Sequence, residues 1–277
     1  MTMLSINTNV GALKAAQASY SVNKSMETSM ERLSTGKRIN SAMDDAAGLQ
    51  ISNRLTAEIQ GLNMAVRNAA DSQAMLATAE GASAEIHTIL LRMRELAVQS
   101  SNGTMNTGDR NAVSSEFTAL EAEINRIANN TTWAGEELLD GTFSVINVGR
   151  FQVGADAAET ITHRIERLNT TAIGIVAAID MTTFTKAQSA ITALDKSISM
   201  VGTEREQLGA VMNRLDHTIA NLQQISTNLS TAKGRLVDAD FAAETSNLAR
   251  TQVLQQASMA MLAQANAAKQ NILSLFQ

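Results

Sequence analysis

The chain has 277 residues, a formal net charge of −5, no proline, no cysteine and only 3% aromatic residues. The missing thiols exclude disulfides, thiolate metal sites and a cysteine nucleophile, and the acidic balance argues against nucleic acid as a partner, which would call for a basic face. A compact enzyme of this size uses prolines in loops and aromatics in its core, whereas long uninterrupted helices need neither.

At the N-terminus, "MTMLSINTNV" has no basic segment followed by an apolar run, so no cleavable secretory signal is expected. Export, if it occurs, would use a route that does not read one. Ile6, Val10, Leu13 and Tyr20 mark one face of a first helix. The stretch "RLSTGKRINSAMDDAAGLQIS", residues 32–52, then pairs a Gly-Lys dipeptide with two adjacent carboxylates. A phosphate-cradling loop needs glycine five residues before the Gly-Lys pair and Ser or Thr after it. The residues in those places are Glu31 and Arg38, and no strand precedes them, so a nucleotide site is excluded on the motif's own terms. Asp44 and Asp45 point about 100° apart on a helix and do not converge on one substrate. They read instead as the acidic start of a second helix, where the dipole favours negative charge.

Leu55, Leu62, Ala69, Leu76, Leu90 and Ala97 fall in heptad phase along that second helix, with Ser83 as the exception. A turn rich in Asn and Gly, "SSNGTMNTGD", ends it. Val113, Phe117, Leu120, Ile124 and Ile127 step by four and three and predict a shorter third helix. From Trp133 to about Ile165, short apolar alternations separated by glycines predict one or two β-hairpins. The apolar run Ile173 to Ile179 predicts a buried strand or a turn of helix. Then Leu194, Val201, Leu208, Leu215, Leu222, Leu229 and Leu236 recur every seventh residue. With Ile191, Ile198, Met212 and Ile219 they form a long coiled-coil seam.

At the C-terminal end, Leu254, Ala257, Met261, Ala265, Ala268, Ile272 and Leu275 mark one face of a last helix. Both end seams are rich in short side chains and alone bury too little to be stable, so the ends are expected to order only against partners. The longest uncharged run, Thr251 to Ala268, is interrupted by polar residues and predicts no membrane insertion.

Chemistry-bearing residues do not converge. His87, His163 and His217 are far apart, lack ligands at metal spacing and read as solvated or half-buried polar residues; no metal and no cofactor are expected. No GxSxG occurs. Methionines such as Met26, Met30, Met93, Met212 and Met261 lie at or near the seams and read as adaptable packing. No catalytic residue is assigned.

Several long segments carry a family likeness. "INTNVGAL" at 6–13, the stretch 32–52, "RMRELAVQSSNGT" at 92–104, "NRIANNTTWAGEELLDGTF" at 125–143, "FQVGADAAETI" at 151–161 and the segment "DADFAAETSNLARTQVLQQASMAMLAQANAAKQNILSLF" resemble bacterial flagellins, in order, over nearly the whole chain. The resemblance implies a subunit that polymerises into the flagellar filament for motility, with its two termini paired as a coiled coil lining a central channel. The polymerisation core would include Ile6, Val10, Leu13, Leu254, Met261, Ile272 and Leu275. It further implies secretion by flagellar type III export, an export chaperone on the C-terminal helix, and contacts with filament cap and hook–filament junction proteins. A host Toll-like receptor would recognise the positions Arg92, Leu96 and Glu116. Many family members have proline where this chain has Lys269, a departure that adds a charge.

The expected fold is mainly α: a long antiparallel helical coiled-coil rod with a small β-hairpin region and paired termini. Residues 1–43 with 236–277 would form the terminal domain and 44–235 the rod, with hairpins at about 133–170 and without outer domains. Two other readings compete. A hook–filament junction protein shares the end motifs less completely. A surface adhesin would bind through hairpins between Phe143 and Thr170, which lack clustered aromatics for sugar stacking. An enzyme is the weakest reading.

Overall fold

The computed structural model describes residues 8–141, 149–175 and 181–274, with side chains described to residue 268. Ile6, Phe143 and Leu275, the side chains of Lys269 and Ile272, and part of the apolar run 173–179 lie outside the described residues. In chain order the elements are α1 (Val10–Thr35), α2 (Ala46–Ser100), α3 (Thr107–Asn130), β1 (Thr132–Trp133), β2 (Glu136–Glu137), β3 (Arg150–Gln152), β4 (Thr160–Thr162), α4 (Phe184–Val237) and α5 (Phe241–Ser274). Helix dominates, as expected from a chain without proline and rich in alanine.

The contacts divide the chain into two compact units, Glu58–Thr227 and Met1–Ala57 with Asn228–Gln277. The dividing points fall inside α2 and α4 and not at the helix ends near residues 43 and 236.

In the first unit α2 and α4 run antiparallel. As partners climb along α2 they descend along α4: Ser226 donates to Asn63 at 3.0 Å, Gln73 to Asp216 at 2.8 Å, Arg205 to Glu80 at 2.7 Å and Arg94 to Asp195 at 2.6 Å. The heptad leucines lie behind this polar margin. Leu62, Ala69, Leu76, Leu90 and Ala97 on α2, and Leu194, Val201, Leu208, Leu215 and Leu222 on α4, are buried, while Leu55, Leu229 and Leu236 are half-buried. Ser83, the polar exception in the α2 heptads, is fully buried and donates its hydroxyl to the Ala79 carbonyl at 2.7 Å. A serine is tolerated there because its own helix supplies the acceptor.

Helix α3 closes on the same core through Val113, Phe117, Ile124 and Ala128. It starts with a capping box: Asn106 accepts from the Asp109 N–H and Asp109 accepts from the Asn106 N–H. Arg110 donates to the Ser100 and Asn102 carbonyls and ties the connecting turn to the end of α2.

Two antiparallel hairpins follow, β1–β2 and β3–β4. The β1–β2 loop has only two residues, Ala134 at φ 51° and Gly135 at φ 92°, the positive angles such tight turns demand. Phe151 and Ile161, paired across β3–β4, join the core with Leu138, Leu139, Ile165 and Leu168. Ile173 and Ile175, at the start of the apolar run, are buried in the turn that follows.

His163 departs from the expected polar surface: it is buried, with its Nε2 3.6 Å from Glu204, itself 3% exposed. Glu204 also accepts from the Glu166 backbone N–H. Hairpin packing brings this pair together, which a search for metal spacing along the chain does not reveal.

Candidate assembly surface

The second unit is built on α1 and α5, which pack side by side. Along α1 the side chains withdrawn from solvent include Ala12, Ala15, Ser19, Val22, Met26, Ser29 and Leu33; along α5 they include Glu244, Leu248, Thr251, Gln255, Ser258, Leu262 and Ala265, with Asn23, Thr28, Arg32 and Asn247 flanking those lines. Both series alternate steps of three and four, the periodicity of a coiled coil. Small and polar residues dominate both. Polar ties run the length of the contact. Asn9 Nδ2 donates to the Ala265 carbonyl at 3.0 Å, Gln255 donates to Asn23 at 2.8 Å, and Arg32 lies 4.0 Å from the Glu244 carboxylate.

The line by which α1 meets α5 therefore differs from the seams expected in the sequence. Val10, Leu13 and Tyr20 do not face α5, and neither do Leu254 and Met261. Val10 is 53% exposed, Leu13 61%, Leu254 45% and Met261 66%. Among the described residues of those two sets, only Ala265 lies on the shared line. Tyr20, Val253, Met259 and Phe241 are also exposed. A helix with apolar residues on every side belongs in an interior on every side, and α5 has one of its sides covered by this chain. The pair thus presents a broad apolar surface of the kind that marks an interaction site.

Local structure holds the pair at its base. Gly36 ends α1 at φ +69°, a left-handed cap that donates its N–H to the Arg32 carbonyl. The segment after it runs beside the break between α4 and α5. Arg38 N–H donates to the Val237 carbonyl at 2.6 Å, Ala239 N–H to the Gly36 carbonyl at 3.0 Å, and the Arg38 guanidinium to the Leu236 carbonyl at 2.7 Å. Asp45 caps α2 by accepting from the Gly48 N–H at 2.8 Å. Asp44 instead folds the preceding turn: it accepts from the N–H groups of Ser41 at 2.9 Å and Asn40 at 3.0 Å. Those backbone hydrogen bonds, Ser41's first, hold the Asp44 carboxyl below its ordinary pKa of 3.8. The two acids of the Gly-Lys stretch are thus a cap and a turn former. Gly48 leaves room for that cap, since a Cβ there would crowd the Asp45 carboxylate and come within 2.7 Å of Ile39.

The structure brings Arg92 and Glu116 together. Arg92 donates to Glu116 at 2.8 Å and to Glu95 at 3.1 Å, an exposed network that raises the guanidinium pKa, chiefly through the Glu116 hydrogen bond. Leu96 is in the core at 1% exposure and does not share that surface. Among the described residues no group of three or more His, Asp or Glu side chains could hold a metal ion, and no helix is long and apolar enough to cross a membrane.

Residues 6–144 match the bacterial flagellin N-terminal helical region, and residues 191–276 match the bacterial flagellin C-terminal helical region. The chain is 45% identical to a flagellin of Halalkalibacterium halodurans over 274 residues, covering 98% of this chain and 99% of that protein. It is 40% identical to a flagellin of Bacillus subtilis over 302 aligned residues, with the same coverage. The crystal structure of Bacillus cereus flagellin superposes with a TM-score of 0.50 and 32% identity, covering 60% of this chain and 94% of that one.

Proposed function

The chain belongs to the bacterial flagellin family and is a structural subunit of the flagellar filament, and we propose that its α1–α5 pair is the surface through which copies polymerise. The observation that carries this reading is the exposed apolar face of that pair, with Val10, Leu13, Leu254 and Met261 outside the line joining the two helices. Burying a Val, Leu or Met side chain stabilises by about 1.5–3 kcal/mol. Ordering the backbone costs about 1–2 kcal/mol per residue. One small-residue seam does not offset that cost over two helices, whereas cover by several neighbours does. Polymerisation on a template is then favoured over association in bulk, and the ends order as they are covered.

In this reading residues 1–43 and 236–277 act as the filament-core domain and 44–235 as the rod domain. The same apolar face of α5 suits an export chaperone before assembly. Exposed ends of the growing polymer suit the filament cap at one end and hook–filament junction proteins at the other. Export proceeds by the flagellar type III route without a cleaved signal. A host Toll-like receptor is a further partner through Arg92 and Glu116, which solvent reaches. Arg92→Ala should abolish signal in a receptor reporter assay, and an unchanged signal counts against this contact.

The test of the assembly surface is seeded elongation followed by electron microscopy. The unaltered chain should extend seeds into tubes of uniform diameter. Leu254→Asp should leave the thermal unfolding of the chain unchanged and abolish elongation. Tubes formed at the ordinary rate by Leu254→Asp would remove α5 from the interface.

A further inference from the structure

Resting on the assembly role of α5, we propose that Met259 and Met261 form an oxidant-sensitive site, open in the free chain and closed in the filament. Both thioethers are well exposed, at 61% and 66%. Ser258 and Leu262 lie on the line that meets α1. With about 100° between successive helical residues, Met259 and Met261 stand on opposite shoulders of that line. Neighbours that cover the apolar surface of α5 on both sides of the seam cover both sulfurs.

The chain has no cysteine, so thioethers are its readily oxidised sulfurs. Burial grades them: Met30 is 47% exposed, Met64 49% and Met200 47%. Met75, Met93 and Met181 are enclosed in the other unit, whereas Met43, in the turn before α2, is 90% exposed and lies outside both terminal helices. The reaction with hydrogen peroxide is a two-electron oxygen transfer. The sulfur lone pair attacks one peroxide oxygen, the O–O bond breaks, the sulfur becomes a sulfoxide, and the second oxygen leaves as water. A flexible apolar side chain becomes a polar one. On a helix that also exposes Val253 and Leu254, the new S=O acceptor loses water on assembly and meets an apolar surface, which disfavours the contact. Once neighbours cover α5, peroxide no longer reaches either sulfur.

The experiment treats free full-length chain and preformed filaments with the same hydrogen peroxide, maps sulfoxides by peptide mass spectrometry, and measures seeded elongation. In the free chain Met259, Met261 and Met43 should oxidise first, the less exposed Met30, Met64 and Met200 more slowly, and Met75, Met93 and Met181 should stay reduced. In filaments Met259 and Met261 should be protected. The concentration of treated chain needed to extend seeds should rise about tenfold, the effect of one buried polar group left without a partner. Methionine sulfoxide reductases should restore it. A Met259→Leu, Met261→Leu chain should extend seeds equally well before and after peroxide. Ordinary elongation by wild-type chain oxidised at both positions overturns the proposal. So does equal loss in the double variant, or equal oxidation of filaments and free chain. Failure of untreated chain to extend seeds is a separate outcome that removes the filament reading, and this inference with it.

Discussion

Along the contact between α2 and α4, the heptad positions hold Leu62, Leu76 and Leu90 against Leu194, Leu208 and Leu215, all closed to solvent. Along the contact between α1 and α5, the corresponding positions hold Ala12, Ala15, Ser19 and Ser29 against Thr251, Gln255 and Ser258. The helical periodicity is the same and the chemistry is reversed. In the first pair large apolar residues face inward and polar ones form the margin, so the unit satisfies itself. In the second, small and polar residues make up most of the inward line, with Val22, Met26, Leu33, Leu248 and Leu262 among them, and further large apolar residues look outward. A seam of small residues lets two helices approach closely but buries little surface. Its stability must come from what covers the other side.

Three substitutions sharpen that contrast. The largest effect is expected from Leu208→Ala, which deletes a fully buried side chain of α4. It should cost about 2–5 kcal/mol, read as a lower urea midpoint, and leave seeded elongation intact at temperatures where the chain stays folded. Its pattern is the reverse of that expected for Leu254→Asp. If Leu208→Ala abolished elongation without altering the urea midpoint, the division of labour would fail.

Asp44→Asn comes next, at the turn that joins the two kinds of helix. The folded carboxyl titrates below 3.8 because Ser41 and Asn40 donate to its charged form. A depressed folded pKa contributes stability that is complete above the unfolded value and is lost as pH falls through the folded value. Wild type should therefore exceed Asp44→Asn at neutral pH, and the gap should close only below pH 3.8. Denaturant melts across that range check it, and a gap independent of pH would separate the turn's stability from the Asp44 charge.

The smallest effect is expected at Ala134, a non-glycine residue at φ 51° in the β1–β2 loop. Ala134→Gly should raise stability by about 0.5–1 kcal/mol, since left-handed backbone costs an L residue more than glycine. A lower melting temperature for this variant would mean that the alanine methyl contributes packing that outweighs the strain.

The long seam of α4 was legible because leucine repeats at every seventh position and nothing else competes for the core face. The third helix was legible from Phe117, Ile124 and their neighbours for the same reason, and the hairpins from their glycines and alternation. At the ends the same logic picked a face that α1 and α5 do not turn to each other. Hydrophobicity selects Val10, Leu13, Leu254 and Met261, and in a self-contained domain those would face inward. In a subunit whose helices are covered on several sides, apolar character says that a residue is buried somewhere without saying by which chain. The inward line mixes Ala, Ser and Thr with a few large apolar residues such as Val22, Leu33 and Leu262, so its hydrophobic signal is weak beside its three-and-four spacing. His163 and Glu204 escaped for another reason: 41 positions separate them along the chain, and only the packing of the hairpin segment against α4 makes them neighbours.

The hydrogen bond from Asn9 to Ala265 spans 256 positions of sequence, and that from Gln73 to Asp216 spans 143. Contacts so remote along the chain form late, because the intervening loop must close before they contribute. A polypeptide arriving end first has its opening helices in hand while their mates are still to come. The α2–α4 contact becomes available once α4 is delivered, and the α1–α5 contact waits for the last helix.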